Sequence, residues 1–268
     1  IYEMISSTPA FLFNIVAIIA GIVFTTIFRS QSIGIISLIG GLLIPYLIES
    51  TEPNYYFFVS YEGLLYLLFL VLALYLNFQL LYITSAIFLH VAILGIFIFS
   101  SIPDSFTLLI VSPIIIQQLA LFVGLIVTKI SLKIQAYTLL ASLLISSIWI
   151  FAQLEQVEQI IIFIGLAVLY AIGYYFYKKD NTRAAIFVVN GSLAILFAFL
   201  AYESDVIYEV LLAIIVIYVF YAQKFRTTIH YLLALILYFI AFVSFNTFYL
   251  EQLFSFEMLH KIMFLIVT

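Results

Sequence analysis

The sequence breaks into one apolar stretch of membrane-crossing length after another, parted by short polar turns. A hydrocarbon core about 30 Å thick takes roughly 20 residues of helix. Ten such segments lie between the polar breaks, at about residues 9–28, 33–48, 56–76, 80–99, 106–127, 136–151, 160–177, 184–202, 207–222 and 231–248, and an eleventh begins near Glu257 and is cut short at Thr268. The runs are continuously apolar, without the alternation a lipid-facing strand needs, so helices rather than a barrel are predicted. Hydrophobic residues make up 67% of the 268 and charged residues 8%, too little polarity to solvate a soluble fold of this size. The expected fold class is all-α: polytopic transmembrane helices arranged as repeated hairpins, in a single transmembrane domain over residues 1–268.

Charge orients the hairpins. Arg29, Lys129, Lys133, Lys178, Lys179, Arg183, Lys224 and Arg226 fall in breaks after odd-numbered segments, whereas Glu49, Glu52, Asp104, Glu155, Glu158, Glu203, Asp205, Glu251 and Glu257 fall after even-numbered ones. Among the basic residues only Lys261 departs from the rule. Because basic loops stay inside, the prediction is a multi-pass membrane protein with residue 1 outside and the basic loops cytoplasmic. A start at Ile1 and an end inside an apolar run add the expectation of a portion of a longer polytopic chain. Its expected partners are the lipid bilayer, other membrane proteins or further helices of its own chain. A net charge of -4 provides no footprint for nucleic acid, and the absence of Cys excludes disulfides, thiolate metal sites and cysteine nucleophiles.

The inner breaks, basic except at Asn77–Gln79, recur about every 49 residues, one hairpin per step, which is the spacing of an array. Within it Tyr61-Glu62-Gly63-Leu64-Leu65 returns as Tyr208-Glu209-Val210-Leu211-Leu212, with looser echoes around Glu3, Glu158 and Glu257. A carboxylate repeated where inward-running helices begin suits the unpaired first-turn amides and the helix dipole, so capping at a hydrated interface is the expectation for Glu62. The second reading sets Glu62 below the interface as a working acid. Its partner is then His90, since counting 1.5 Å per residue from the turn near Phe78 leaves the two within about 6 Å in depth.

Small and polar residues mark helix contacts. Gly34, Ser37 and Gly41 share one face of the second segment, and Pro45 removes a helical hydrogen bond near its outer end. Pro113 does the same ahead of Gln117 and Gln118 in the fifth segment. These prolines are read as packing kinks, with a broken helix lining a substrate site as the alternative. Gln117, Gln118, Asn14 and Asn190 are candidate intramembrane polar sites, expected to bond helix to helix; Ser142 with Ser146, and Gly191 with Ala194 and Ala198, are further contact faces.

The stretch SQSIGIISLIGGLLIPYLIES, followed by NYYFFVSYEGLLYLLFLVLAL, resembles a family of large bacterial multi-spanning proteins of unknown function whose signature is similar to Gly-Gly-x-x-Thr-Pro-x-Leu. Gly40, Gly41, Pro45 and Leu47 match it, and Ile44 stands at the threonine position. The resemblance covers roughly residues 1–100. It implies a longer parent chain with many more helices, in a bacterial cytoplasmic (inner) membrane, and carries no activity.

Catalytic chemistry is not indicated. No segment holds two carboxylates, and no His pair has metal-ligand spacing, so no catalytic residue, metal or cofactor is expected. The functional expectation is a non-enzymatic membrane scaffold or assembly module. One alternative is a transporter with a path coupled through Glu62 and His90; its signature would be a cavity of about 300 Å³ or more shared by Glu62, His90 and Gln118 and open to one face. The other is an envelope sugar transferase using a lipid-linked donor, with the loop acids Glu203 and Asp205 at its site, although the outer loops offer no cations for the phosphates.

Overall fold

The computed structural model describes residues 7–47, 54–99, 102–127, 130–202, 207–225 and 232–240. Among the described residues helices run α1 (Ser7–Phe28), α2 (Gln31–Leu47), α3 (Tyr55–Leu76), α4 (Gln79–Phe99), α5 (Thr107–Val127), α6 (Leu132–Gln153), α7 (Gln156–Tyr177), α8 (Asn181–Ala201) and α9 (Ile207–Phe225), with residues 232–240 also helical. The structure is all-α and polytopic. The span count is smaller than the ten expected: among the described residues six helices, Tyr55–Leu76, Gln79–Ile98, Asp104–Val127, Leu132–Gln153, Gln156–Tyr177 and Asn181–Ala201, are long and apolar enough to cross a membrane. Phe13–Phe28, Gln31–Tyr46 and Val210–Lys224 are shorter apolar helices. The eleventh segment lies outside the described residues.

Helix ends follow from local chemistry. Asn54 caps α3, its side chain accepting from the Phe57 N–H at 3.0 Å. The α3–α4 turn is a left-handed cap: Asn77 sits at φ 58°, and the Phe78 N–H donates to the Ala73 carbonyl at 2.9 Å. Arg29 makes the same turn between α1 and α2 at φ 47°, with the Ser30 N–H donating to the Thr25 carbonyl. Glu155 and Glu158 form a reciprocal capping box at the head of α7, and Asp180 caps α8 through the N–H groups of Thr182 and Arg183.

The chain divides into two compact units, Ile1–Leu154 and Glu155–Thr268. In the first, α2 and α4 run parallel, because the Gln31 side chain accepts from the Leu80 N–H at one end while the Tyr46 hydroxyl donates to the Ala92 carbonyl toward the other. α3 packs antiparallel between them in sequence, and a Cβ at Gly124 of α5 would lie 3.7 Å from both Leu74 and Tyr82. The turns at 29–30 and 77–78 and the end of α5 therefore gather at one end of this unit. Its core is apolar, built on Phe69, Leu70, Leu81, Ile93, Ile110 and Leu121.

In the second unit α7 and α8 form the tightest pair. A Cβ at Gly191 would approach the Tyr170 Cβ to 3.2 Å, and Phe163 and Phe197 stack obliquely with centroids 5.4 Å apart. At one end of these helices Lys178, Arg183 and Lys224 lie over the rings of Tyr175, Tyr177 and Tyr221. Cations drawn onto amphipathic aromatic rings are the pairing expected of a membrane interface.

Candidate functional site

Polar groups of the first unit lie on α2, α3, α4, α5 and α6, and several of them are tied to a neighbouring helix. Pro45 is where this begins. Lacking an N–H, it leaves the Gly41 carbonyl, four residues earlier, without its usual helical donor. The Tyr61 hydroxyl of α3 takes that place and donates to the Gly41 oxygen at 2.8 Å. Gly41 permits the approach: a Cβ there would come to 3.0 Å from a Leu65 methyl and 3.2 Å from Ile18. Gly40 meets nothing within 4 Å, so of the two signature glycines only Gly41 is sterically required. Pro113 frees the Leu109 carbonyl in the same way, and here the adjacent Ser112 hydroxyl donates to it at 2.7 Å. Both prolines lie inside continuous helices, and each freed carbonyl is taken by a hydroxyl.

Tyr46, next to Pro45, sends its hydroxyl to the Ala92 carbonyl of α4, and Gly95 leaves it the room to do so. Tyr46 and Gly95 were not singled out by sequence reasoning, and Tyr61 entered only as part of the repeated Tyr61–Leu65 motif. The available signal was a tyrosine beside a helix proline, facing a helix that carries a lone glycine.

Glu62 lies in electrostatic range of the phenols of Tyr46 and Tyr61. The structure corrects its expected capping role. α3 starts at Tyr55 under the Asn54 cap, so Glu62 is two turns inside the helix, 3% exposed, and its Oε1 has no hydrogen-bond partner. The capping expectation holds for Glu158, whose carboxylate accepts from the Glu155 N–H at 3.2 Å. The side chain of Glu209 lies outside the described residues, as do Glu203 and Asp205, so the equivalence with Tyr208–Glu209 and the acidic loop are not on view.

Depth matching does not bring Glu62 and His90 together. His90 is 6% exposed and neither ring nitrogen makes a hydrogen bond, which excludes one to Glu62. His90 instead joins Thr138 and Ser142 in lining a small, otherwise apolar cavity of about 260 Å³ between α4 and α6. Neither Glu62 nor Gln118 lines it, and it falls below the size set for a shared transport cavity. Larger clefts of about 540 Å³ between α7 and α8 and about 400 Å³ between α1 and α3 are walled almost wholly by apolar side chains.

The glutamines are interhelical, as expected. Gln117 donates to the Ala86 carbonyl of α4 at 2.8 Å, and Gln118 donates to the hydroxyls of Ser142 and Ser146 of α6 at 2.8 and 3.1 Å. Gln135, unremarked in the sequence, reaches back from α6 to the Gly124 carbonyl of α5 at 3.1 Å. Asn190 corrects the expectation of a bridge: its amide donates to the Ile186 carbonyl of its own helix at 2.9 Å. In the second unit the link from α8 to α9 is made by Tyr218, whose hydroxyl donates to the Val189 carbonyl at 3.1 Å beside Ser192. Asn14 is half-buried on α1. Among the described residues no group of three or more His, Cys, Asp or Glu could hold a metal ion.

Helices of membrane-crossing length, with buried amides and phenols bonded from one helix to the next, define a polytopic α-helical membrane protein. The family described as "Predicted membrane protein (DUF2339)" matches residues 1–268, and the chain belongs to that family. The match extends the resemblance seen over the first hundred residues to the whole sequence. No curated protein and no solved structure matches the chain.

Proposed function

We propose that the chain is a non-enzymatic scaffold or assembly module of a bacterial cytoplasmic membrane, oriented with its basic turns inside. The observation that carries this reading is where the buried polar groups point. Tyr46, Tyr61, Gln117, Gln118 and Gln135 each bond a neighbouring helix rather than converging on one cavity. In hydrocarbon such bonds join helices that the hydrophobic effect does not drive together. The outward surfaces are bulky and apolar: α7 exposes Ile161, Ile164, Val168, Tyr175 and Phe176, a face suited to lipid or to another membrane helix.

The chain has no cysteine, so single cysteines at Ile164 and Val168 are clean probes. In intact cells a short membrane-permeant crosslinker is expected to join them to another membrane helix in discrete adducts. Adduct-free chain, together with solute flux in proteoliposomes that disappears in Glu62→Gln, would support the transporter alternative and overturn the scaffold.

A further inference from the structure

Glu62 is a buried carboxyl that the helix-to-helix bonding leaves unused. Its Oε1 accepts no hydrogen bond, and no element packed against α3 presents a lysine or arginine to it among the described residues. α2 contributes Tyr46, α4 contributes His90 and Tyr82, and α3 itself adds Tyr61 and Tyr66. Residues 13–28 of α1 and all of α5 carry no titratable side chain. His90 makes no hydrogen bond to it. The two phenols in electrostatic range direct their hydroxyl hydrogens at backbone carbonyls, Tyr61 to Gly41 and Tyr46 to Ala92. A bare negative charge in such surroundings is strongly disfavoured, and the cation that neutralises it has to come from solution.

We propose that Glu62 is a binding site for a small monovalent cation, occupied by a proton in the arrangement described, with the Tyr46 and Tyr61 phenols within electrostatic range of it. The surroundings offer oxygen and no fixed positive charge, which suits a proton or a sodium ion. Occupancy is linked to packing. When the cation leaves, the carboxylate competes for the two phenolic hydrogens, and each phenol that turns to it releases the α2–α3 bond at Gly41 or the α2–α4 bond at Ala92. The site stands independently of the scaffold reading, since a static module and a transporter both accommodate it.

The test is infrared spectroscopy of the full chain in lipid vesicles at pH 7 in potassium buffer, where solvated carboxyls, with reference values of about 4, are ionised. The expected result is the carbonyl stretch of a protonated carboxylic acid, shifted in heavy water and missing from Glu62→Gln. Raising the pH should remove the band and change the tyrosine bands with it. Replacing potassium by sodium at fixed pH separates the two occupants: loss of the band identifies sodium as a competitor, and persistence identifies a site selective for protons. No acid band in the wild-type chain, or the same band in Glu62→Gln, overturns the proposal. Should that variant fail to fold, the wild-type spectrum decides alone, since absence of the band at pH 7 is sufficient to overturn it.

Discussion

The hydroxyl of Tyr61 occupies the position that the missing N–H of Pro45 leaves vacant, donating to the Gly41 carbonyl at 2.8 Å. One residue thus provides a helix contact and repairs the helix it contacts.

That pairing predicts non-additive mutations. Tyr61→Phe removes the replacement donor and strands a carbonyl, at a cost of about 1–3 kcal/mol. Pro45→Ala restores an N–H to Gly41, so in that background the cost of Tyr61→Phe should fall by at least about 0.5 kcal/mol. Reversible unfolding in mixed detergent micelles gives the four stabilities needed, and full additivity would show that Pro45 and Tyr61 are energetically separate.

A second expectation contrasts two glycines. A Cβ at Gly95 would lie 2.7 Å from the Tyr46 hydroxyl, which is fixed on Ala92, whereas Gly40 meets nothing within 4 Å. Gly95→Ala should therefore destabilise by about 1–3 kcal/mol. Gly40→Ala should be neutral or stabilising by up to about 1 kcal/mol, through helix propensity. Equal effects in the same unfolding measurement would contradict the packing described.

The bonds of Gln118 give a third. A double-mutant cycle with Gln118→Leu and Ser142→Ala should return a coupling of about 0.6–1.7 kcal/mol, the range for interhelical hydrogen bonds inside a membrane. Gln118→Leu paired instead with Ser112→Ala, whose hydroxyl bonds Leu109 on its own helix, should return almost none.

The last prediction concerns pH at the membrane edge. Partial burial pushes the Asp180 carboxyl up, but hydrogen bonds from the Arg183 and Thr182 amides and the Arg183 guanidinium, 2.6 Å away, outweigh it and hold the carboxyl below its ordinary range. A carboxyl depressed in the folded state contributes stability above its unfolded value, near 4, and loses that contribution as pH falls through the folded value. Asp180→Ala should cost about 0.5–2 kcal/mol at neutral pH as a lost helix cap, and the gap from wild type should narrow below about pH 4. A gap constant down to pH 2 would assign the effect to something other than the carboxylate.

Much of the architecture was readable from the chain because membranes impose it. Uninterrupted apolar runs have no stable state in hydrocarbon except helix, so helix type and order followed from composition along the chain. The prolines and glutamines were readable as contact points, since a freed carbonyl or a buried amide has to find a partner. Which partner it finds was not. Gln117 bonds α4 as expected, yet Asn190, equally apolar in its setting, turns to its own Ile186 carbonyl.

Glu62 marks the same boundary. Its place near the start of an apolar run pointed to a cap, but Asn54 starts α3 early and carries the acid two turns inward. Counting residues placed His90 at a matching depth, because rise per residue is a property of any helix. Rotation about the helix axis is set by side-chain packing across the interface, which no single segment records, and that rotation left His90 without a bond to Glu62 and brought Tyr46 and Tyr61 near the carboxyl. The sequence alone determined helix type and order, since these follow from backbone hydrogen bonding in hydrocarbon. Only the tertiary structure decided azimuth, and with it which buried polar groups meet.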